Sequence, residues 1–268
     1  MDYFSTKSSN LFNIGGSLYI SVTLRNGLLV YFMAFIMLSG CAGMKPEGSV
    51  ATVSQEPGSD SATLNWWAIR FQNDWPEGMT AEWYMDALIA HRIIAPVHEI
   101  YRDQISLWRF HRRAARDGAG HQFSFIFYTD TATATEVFNA VREDSLLAEL
   151  QKVGKIRRFF TDGTGQITKP GIGDTSDQSW SPIVKNTWPY FIMGVSQTWL
   201  EMIDAEAGRR EMIIDNASIE TLQDQYRRID GDVRKAWQLE GHHAFLHHLN
   251  AVFGYTPIIV GEDVLMKF

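Results

Sequence analysis

Two aromatic-rich runs, "QISLWRFHR" (104–112) and "HQFSFIFYT" (121–129), are joined by "RAARDGAG" and constrain this chain more than any other feature. Such runs, separated by a loop of that length and glycine content, read as an antiparallel hairpin. Period-two alternation puts Arg109, His111 and Arg113 on one face of the first strand and Trp108, Phe110 and Arg112 on the other. A hairpin alone cannot bury its apolar face, so other elements must cover it.

The neighbouring sequence supplies them. "LNWWAIRFQ" (64–72) suits a strand and is followed by turn chemistry in "DWPEGM". Thr80 can cap a helix running to about Tyr101, with Trp83, Ala87, Leu88, Ile93, Ile94 and Val97 on its buried face and a kink or break expected at Pro96. Thr133 to Leu150 predicts a helix or a pair of helices, and "GKIRRFF" (154–160) a fourth strand. The order is β-α-β-β-α-β, the ferredoxin-like arrangement of an antiparallel sheet with helices on one face. The fold class is therefore α+β, and 13% aromatic residues with nine tryptophans are enough to fill its core.

Between 162 and 181 the chain turns to Gly, Thr, Asp and Ser and reads as a connector or exposed loop. Residues 182–268 then form a mainly helical half. Ser218 with Thr221 marks the start of its longer helix, Gly254 its stop, and Gly231 and Gly241 are candidate kinks. One α+β domain is thus expected over 63–268, with 63–161 as its ferredoxin-like half.

The amino-terminal part reads differently. Leu28 to Leu38 is an apolar run too short to cross a bilayer, preceded by Arg25 and followed by Ser39, Gly40 and Cys41. Leu38-Ser39-Gly40-Cys41 resembles the lipobox of bacterial lipoproteins. The resemblance implies removal of a signal peptide (1–40), a diacylglycerol thioether on Cys41 and acylation, as with palmitate, of the new amino group. Several acyl chains at about 0.8 kcal/mol per buried methylene anchor durably. Ala42 follows where an aspartate would resemble an inner-membrane retention signal, so the outer membrane, facing the periplasm, is the expected address. Residues 41–62, rich in Gly, Pro and Ser, form a lipidated tether whose 42–62 stretch would span roughly 25 Å as a flexible coil. With Cys41 lipidated, the chain's only cysteine leaves no disulfide and no thiol nucleophile.

Two clusters could carry chemistry. Arg109, His111 and Arg113, with His121 across the hairpin and Arg70 on the first strand, could clamp a carboxylate or phosphate. The same charges also suit a solvated sheet edge protected from pairing. In "GHHAFLHHLN", His243 and His247 stand one helical turn apart, the spacing of metal-binding pairs, with Glu240, Asp232 or His121 as possible third ligands. Zinc is the metal such a pair would take. Four histidines on a helix surface equally do ordinary polar work, and no other cofactor is expected. Neither a phosphate-binding loop nor Gly-x-Ser-x-Gly occurs.

The strand with Trp-Trp, "LWRFHR", "GHQFSFIFY" and the late "AFLHHLNAVFG" together resemble, over about residues 64–260, the C-terminal elimination domain of lantibiotic dehydratases and thiopeptide-type bacteriocin biosynthesis proteins. That resemblance implies a shared architecture with Arg109, His121 and Asn250 at matching positions. Eliminating activity does not follow, because the strand after Gly-His lacks the family's alternating arginines and Ala251 stands where the family has an arginine.

The formal charge is −7, and removing residues 1–40, which carry Lys7 and Arg25 against Asp2, moves it to −8. Nucleic acid is not an expected partner for so acidic a body. The leading expectation is a non-catalytic, lipid-anchored envelope protein that binds a protein or peptide partner. The alternative is a periplasmic enzyme or anionic-ligand-binding domain built on the Arg/His cluster.

Overall fold

The four-stranded sheet is antiparallel throughout and ordered β2-β3-β1-β4, with β1 Asn65–Asn73, β2 Leu107–Ala114, β3 His121–Thr129 and β4 Ile156–Thr161. This computed structural model describes residues 63–210, 217–260 and 264–266. The strand order is that of the split β-α-β repeat, so the α+β, ferredoxin-like reading holds.

Register follows from the aromatic alternation. Trp67 pairs with Phe127, Ile69 with Phe125 and Phe71 with Phe123, and all six are at most 1% exposed on the helix-covered face. Burial of each such side chain stabilises by about 1.5–3 kcal/mol. Gly120 closes the hairpin with φ +60°, which a side chain would strain.

Helix α1 (Trp83–Ile89) starts three residues after Thr80, and Glu82 occupies its N-cap without a side-chain bond. Of the kink or break expected at Pro96, no break occurs. Instead the chain passes through a π-helical segment, Ala90–Ile94, in which the Ala95 N–H reaches back to the Ala90 carbonyl, and continues as α2 (Ala95–Tyr101) with Pro96 in its first turn. The wider π turn immediately before Pro96 accommodates a residue whose nitrogen cannot donate to the preceding turn. Helices α3 (Thr131–Arg142) and α4 (Ser145–Lys152) are the pair expected from 133–150, capped by Asp130 and Asp144 respectively.

The second half of the domain packs onto the first. Helix α5 (Pro182–Arg209), about 42 Å long at 1.5 Å per residue, runs past the free edge of β2. There Ser196 Oγ accepts from the Phe110 N–H at 3.0 Å and donates to the Ile192 carbonyl at 2.8 Å. The edge is thus satisfied by a helix as well as by charge. Its carboxy-terminal half, through Leu200, Ile203 and Ala207, joins the main core with α6 (Ile219–Gly241). On the opposite sheet face a smaller cluster of Trp66, Leu107 and Tyr128 is covered by Ile172 and Met193.

Ser218 caps α6 through the Thr221 N–H, and Gly231 sits inside α6 without interrupting it. At Gly241 the backbone enters a second π-helical segment, His242–His247, followed by α7 (His248–Val252) and Gly254 at φ +66°. A two-stranded ribbon, β5 (Ile258–Val260) with β6 (Val264–Met266), was not expected from the sequence.

Candidate functional site

The sheet face opposite the main core carries the first predicted cluster. Arg70 and His111 flank Ser124 in one cross-strand row, with Arg109 and Arg113 on the same face of β2. Arg70 pairs with Asp162 at 2.6 Å, and Arg113 pairs with Asp117 in the hairpin loop. Arg109 differs: it is 9% exposed, lies under the Trp188 ring with 4.9 Å between guanidinium carbon and ring centroid, and reaches the Thr175 carbonyl only at 3.5 Å. Its Nε and the Thr175 Oγ1 are buried without a hydrogen-bond partner among the described residues. Burial pulls the Arg109 guanidinium down to about 10. Burying a charge costs several kcal/mol, and a desolvated cation–π contact returns about 2 kcal/mol. Partial desolvation, followed by the charges of Arg109 and Arg113, holds His111 below the ordinary imidazole range.

His121 does not join this cluster. It pairs with Ala114 in the register and therefore points to the opposite, helix-covered face, the side that carries Arg112. There its Nε2 lies 3.0 Å from Asp86 Oδ1, and both side chains are fully buried. Because a carboxylate only accepts, Nε2 carries the proton. The same Oδ1 accepts from Asn73 Nδ2 at 2.8 Å, while Oδ2 accepts from Arg112 Nε at 2.9 Å. Arg112 also donates to the Trp83 carbonyl at 2.7 Å and approaches Asp230 at 3.7 Å. Its guanidinium is flanked by the rings of Trp83 and Trp199, 5.1 and 4.7 Å from their centroids. Burial raises the Asp230 carboxyl, against the opposing pull of Arg112 and Arg234. Asp86, Asn73 and Asp230 were not singled out from the sequence. The available signal was Arg112 itself, a charge on the apolar face of β2 that demands a buried carboxylate.

Arg112 connects this network to a cavity of about 880 Å³ between α5 and the α6–π–α7 segment. Its walls are apolar, from Phe110, Tyr190, Phe191, Val195, Trp199 and Met202 on one side and Val233, Trp237, Phe245 and Leu249 on the other. Arg112 and Arg234 are its charged lining residues, and Arg234 Nε is held by Asp230 Oδ2 at 3.0 Å. Tyr190, Phe191, Val195 and Trp237 are exposed around it.

His243 and His247 do meet, with ring centroids 5.3 Å apart and planes 14° from parallel, and His248 packs at 5.4 Å from each. Among the described residues no group of three or more His, Cys, Asp or Glu is placed to hold a metal ion. Of the possible third ligands, Asp232 is tied to Arg209 and Arg210 and His121 is sealed beside Asp86. Asn250 is buried in α7, and no hydrogen bond joins its side chain to Arg109 or His121 among the described residues. No helix among the described residues is long and apolar enough to cross a membrane. Cys41, with the signal and tether readings of 1–62, lies outside the described residues.

No family model and no curated protein matches this chain. Among solved structures it is similar to one described as the crystal structure of TsrL, at 11% identity and a TM-score of 0.32, covering 72% of this chain and 57% of that one. The chain thus spans little more than half of TsrL, and a likeness at that score carries no argument about activity.

Proposed function

We propose that this chain is a bacterial envelope lipoprotein, held through Cys41 at the outer membrane and facing the periplasm, whose α+β domain binds an apolar segment of a protein or peptide partner between α5 and α6. The observation that carries the reading is the cavity of about 880 Å³, walled by aromatic and aliphatic side chains and open beside exposed Tyr190, Phe191, Val195 and Trp237. Concave apolar surfaces with a few placed polar groups are where proteins take ligands, and two-helix grooves take amphipathic segments. Arg112 is already neutralised by Asp86 and Asp230, whereas Arg234 meets Asp230 through its Nε and keeps 61% of its side chain exposed, so the segment that fits best places a carboxylate beside Arg234 among its apolar residues.

The test titrates the full chain with two amphipathic peptides that differ only in one central Glu or Lys, followed by the fluorescence lost in Trp237→Phe. The Glu peptide should bind at least tenfold more tightly, and Arg234→Ala should remove that preference. Equal affinity for both peptides, or a dimer in sedimentation that neither peptide disrupts, refutes the assignment. Metabolic palmitate labelling tests the anchor separately: it should vanish in Cys41→Ala, and labelling that persists overturns the lipid attachment.

A further inference from the structure

We infer that the sheet face opposite the main core holds an oxyanion, a phosphate or carboxylate group, in a site formed by Arg109 and Thr175 with His111 beside them. This site is separate from the α5–α6 groove and stands whether or not the groove binds a peptide.

Arg109 supplies the first observation. More than nine-tenths buried, it has no carboxylate within 4 Å among the described residues, whereas Arg70 and Arg113 on the same sheet face pair with Asp162 and Asp117. Buried charges in proteins are paired, and a guanidinium with an unused Nε–H presents the planar donor that oxyanions match. Trp188 stacks over the guanidinium at 4.9 Å, and the buried Nε–H has no acceptor among the described residues.

The second observation comes from the Ile172–Thr175 turn. Thr175 meets Arg109 through its carbonyl, and its buried Oγ1 is also without a partner among the described residues. A carbonyl at 3.5 Å is a poor match for a full positive charge. A hydroxyl donor and a guanidinium donor in one buried place fit a single acceptor bearing negative charge. His111, two residues along β2, adds a third nitrogen on the same face and likewise has no acidic neighbour within 4 Å. Burial lowers the charged state of both Arg109 and His111, the expected direction for cations lacking their counter-charge.

The test measures thermal unfolding of the full chain in chloride buffer with added inorganic phosphate or acetate at matched ionic strength. Saturable binding at about twentyfold excess over Kd should raise Tm by roughly 3 to 7 °C. Arg109→Met should fold without loss of Tm in chloride and should lose the increment entirely, and Thr175→Val should weaken the apparent affinity at least fivefold. Which anion gives the larger increment identifies the ligand as a phosphate or a carboxylate group. An increment retained in Arg109→Met, or equal to that produced by chloride, refutes the site. So does a wild-type chain that neither anion stabilises: if Arg109→Met then lowers Tm, the guanidinium is a structural group bridged by water. Should Arg109→Met fail to fold, broadening of the phosphate ³¹P resonance by the wild-type chain, reversed by Thr175→Val, decides the question.

Discussion

Asp86→Asn should destabilise this domain by about 3 kcal/mol. The carboxylate has no solvent contact and serves three groups: Asn73 at 2.8 Å, His121 at 3.0 Å and Arg112 at 2.9 Å. In the variant Oδ1 can still serve Asn73 and His121. The amide nitrogen that replaces Oδ2 faces the Arg112 Nε–H, so two donors oppose each other and Arg112 is left with the Trp83 carbonyl and Asp230 at 3.7 Å. Breaking a buried ion pair from one side typically costs about 3–5 kcal/mol. Arg112 keeps 27% of its side-chain exposure and Asp230 as a second counter-charge, which places the loss near the lower end, about 3 kcal/mol. In a domain of this size that corresponds to a Tm lower by about 6–12 °C. Urea unfolding should show a lower midpoint at unchanged slope. Arg112→Met relieves the donor conflict, so Asp86→Asn should cost at least about 1.5 kcal/mol less in that background. A loss below about 1 kcal/mol, or additivity within about 0.5 kcal/mol, would refute the claim that these groups act as one network.

Stability should also fall as pH drops from 7 to 5. His91, His98 and His111 all titrate below their ordinary 6.5, chiefly through burial, so the unfolded chain binds protons more readily than the folded one in this window. Their contribution is complete above about 6.5 and is lost as pH falls through that value toward the lowered folded ones. His98, whose ring lies 4.6 Å from Trp108 and 6.0 Å from Phe125, gives the cleanest check. His98→Phe should flatten the slope of ΔG against pH, and an unchanged slope would count against it. Asp130 caps α3 by accepting from the Ala132 and Thr133 N–H groups and from Thr133 Oγ1. Asp130→Ala should therefore cost about 1–2 kcal/mol in urea unfolding, and a neutral result would remove the cap from the account of that helix.

What the sequence determined by itself was everything governed by local spacing. Alternation in 104–112 and 121–129 and the aromatic run at 64–72 settled the strands and the faces their side chains occupy, because a strand has period two and no other choice. The same alternation correctly put Arg109, His111 and Arg113 together. It could not say where the hairpin turns. Pairing Ala114 with His121 places that histidine behind the sheet, and only the tertiary register decides this. Pro96 shows the limit within one helix: the sequence announces a perturbation, and packing against α6 and the sheet selects a π turn over a break. The Asp86–Arg112–Asp230 network and the α5–α6 cavity were illegible for a different reason. Their members lie up to 144 residues apart and share no local pattern, since a buried charge requires a counter-charge in space and not at any spacing along the chain.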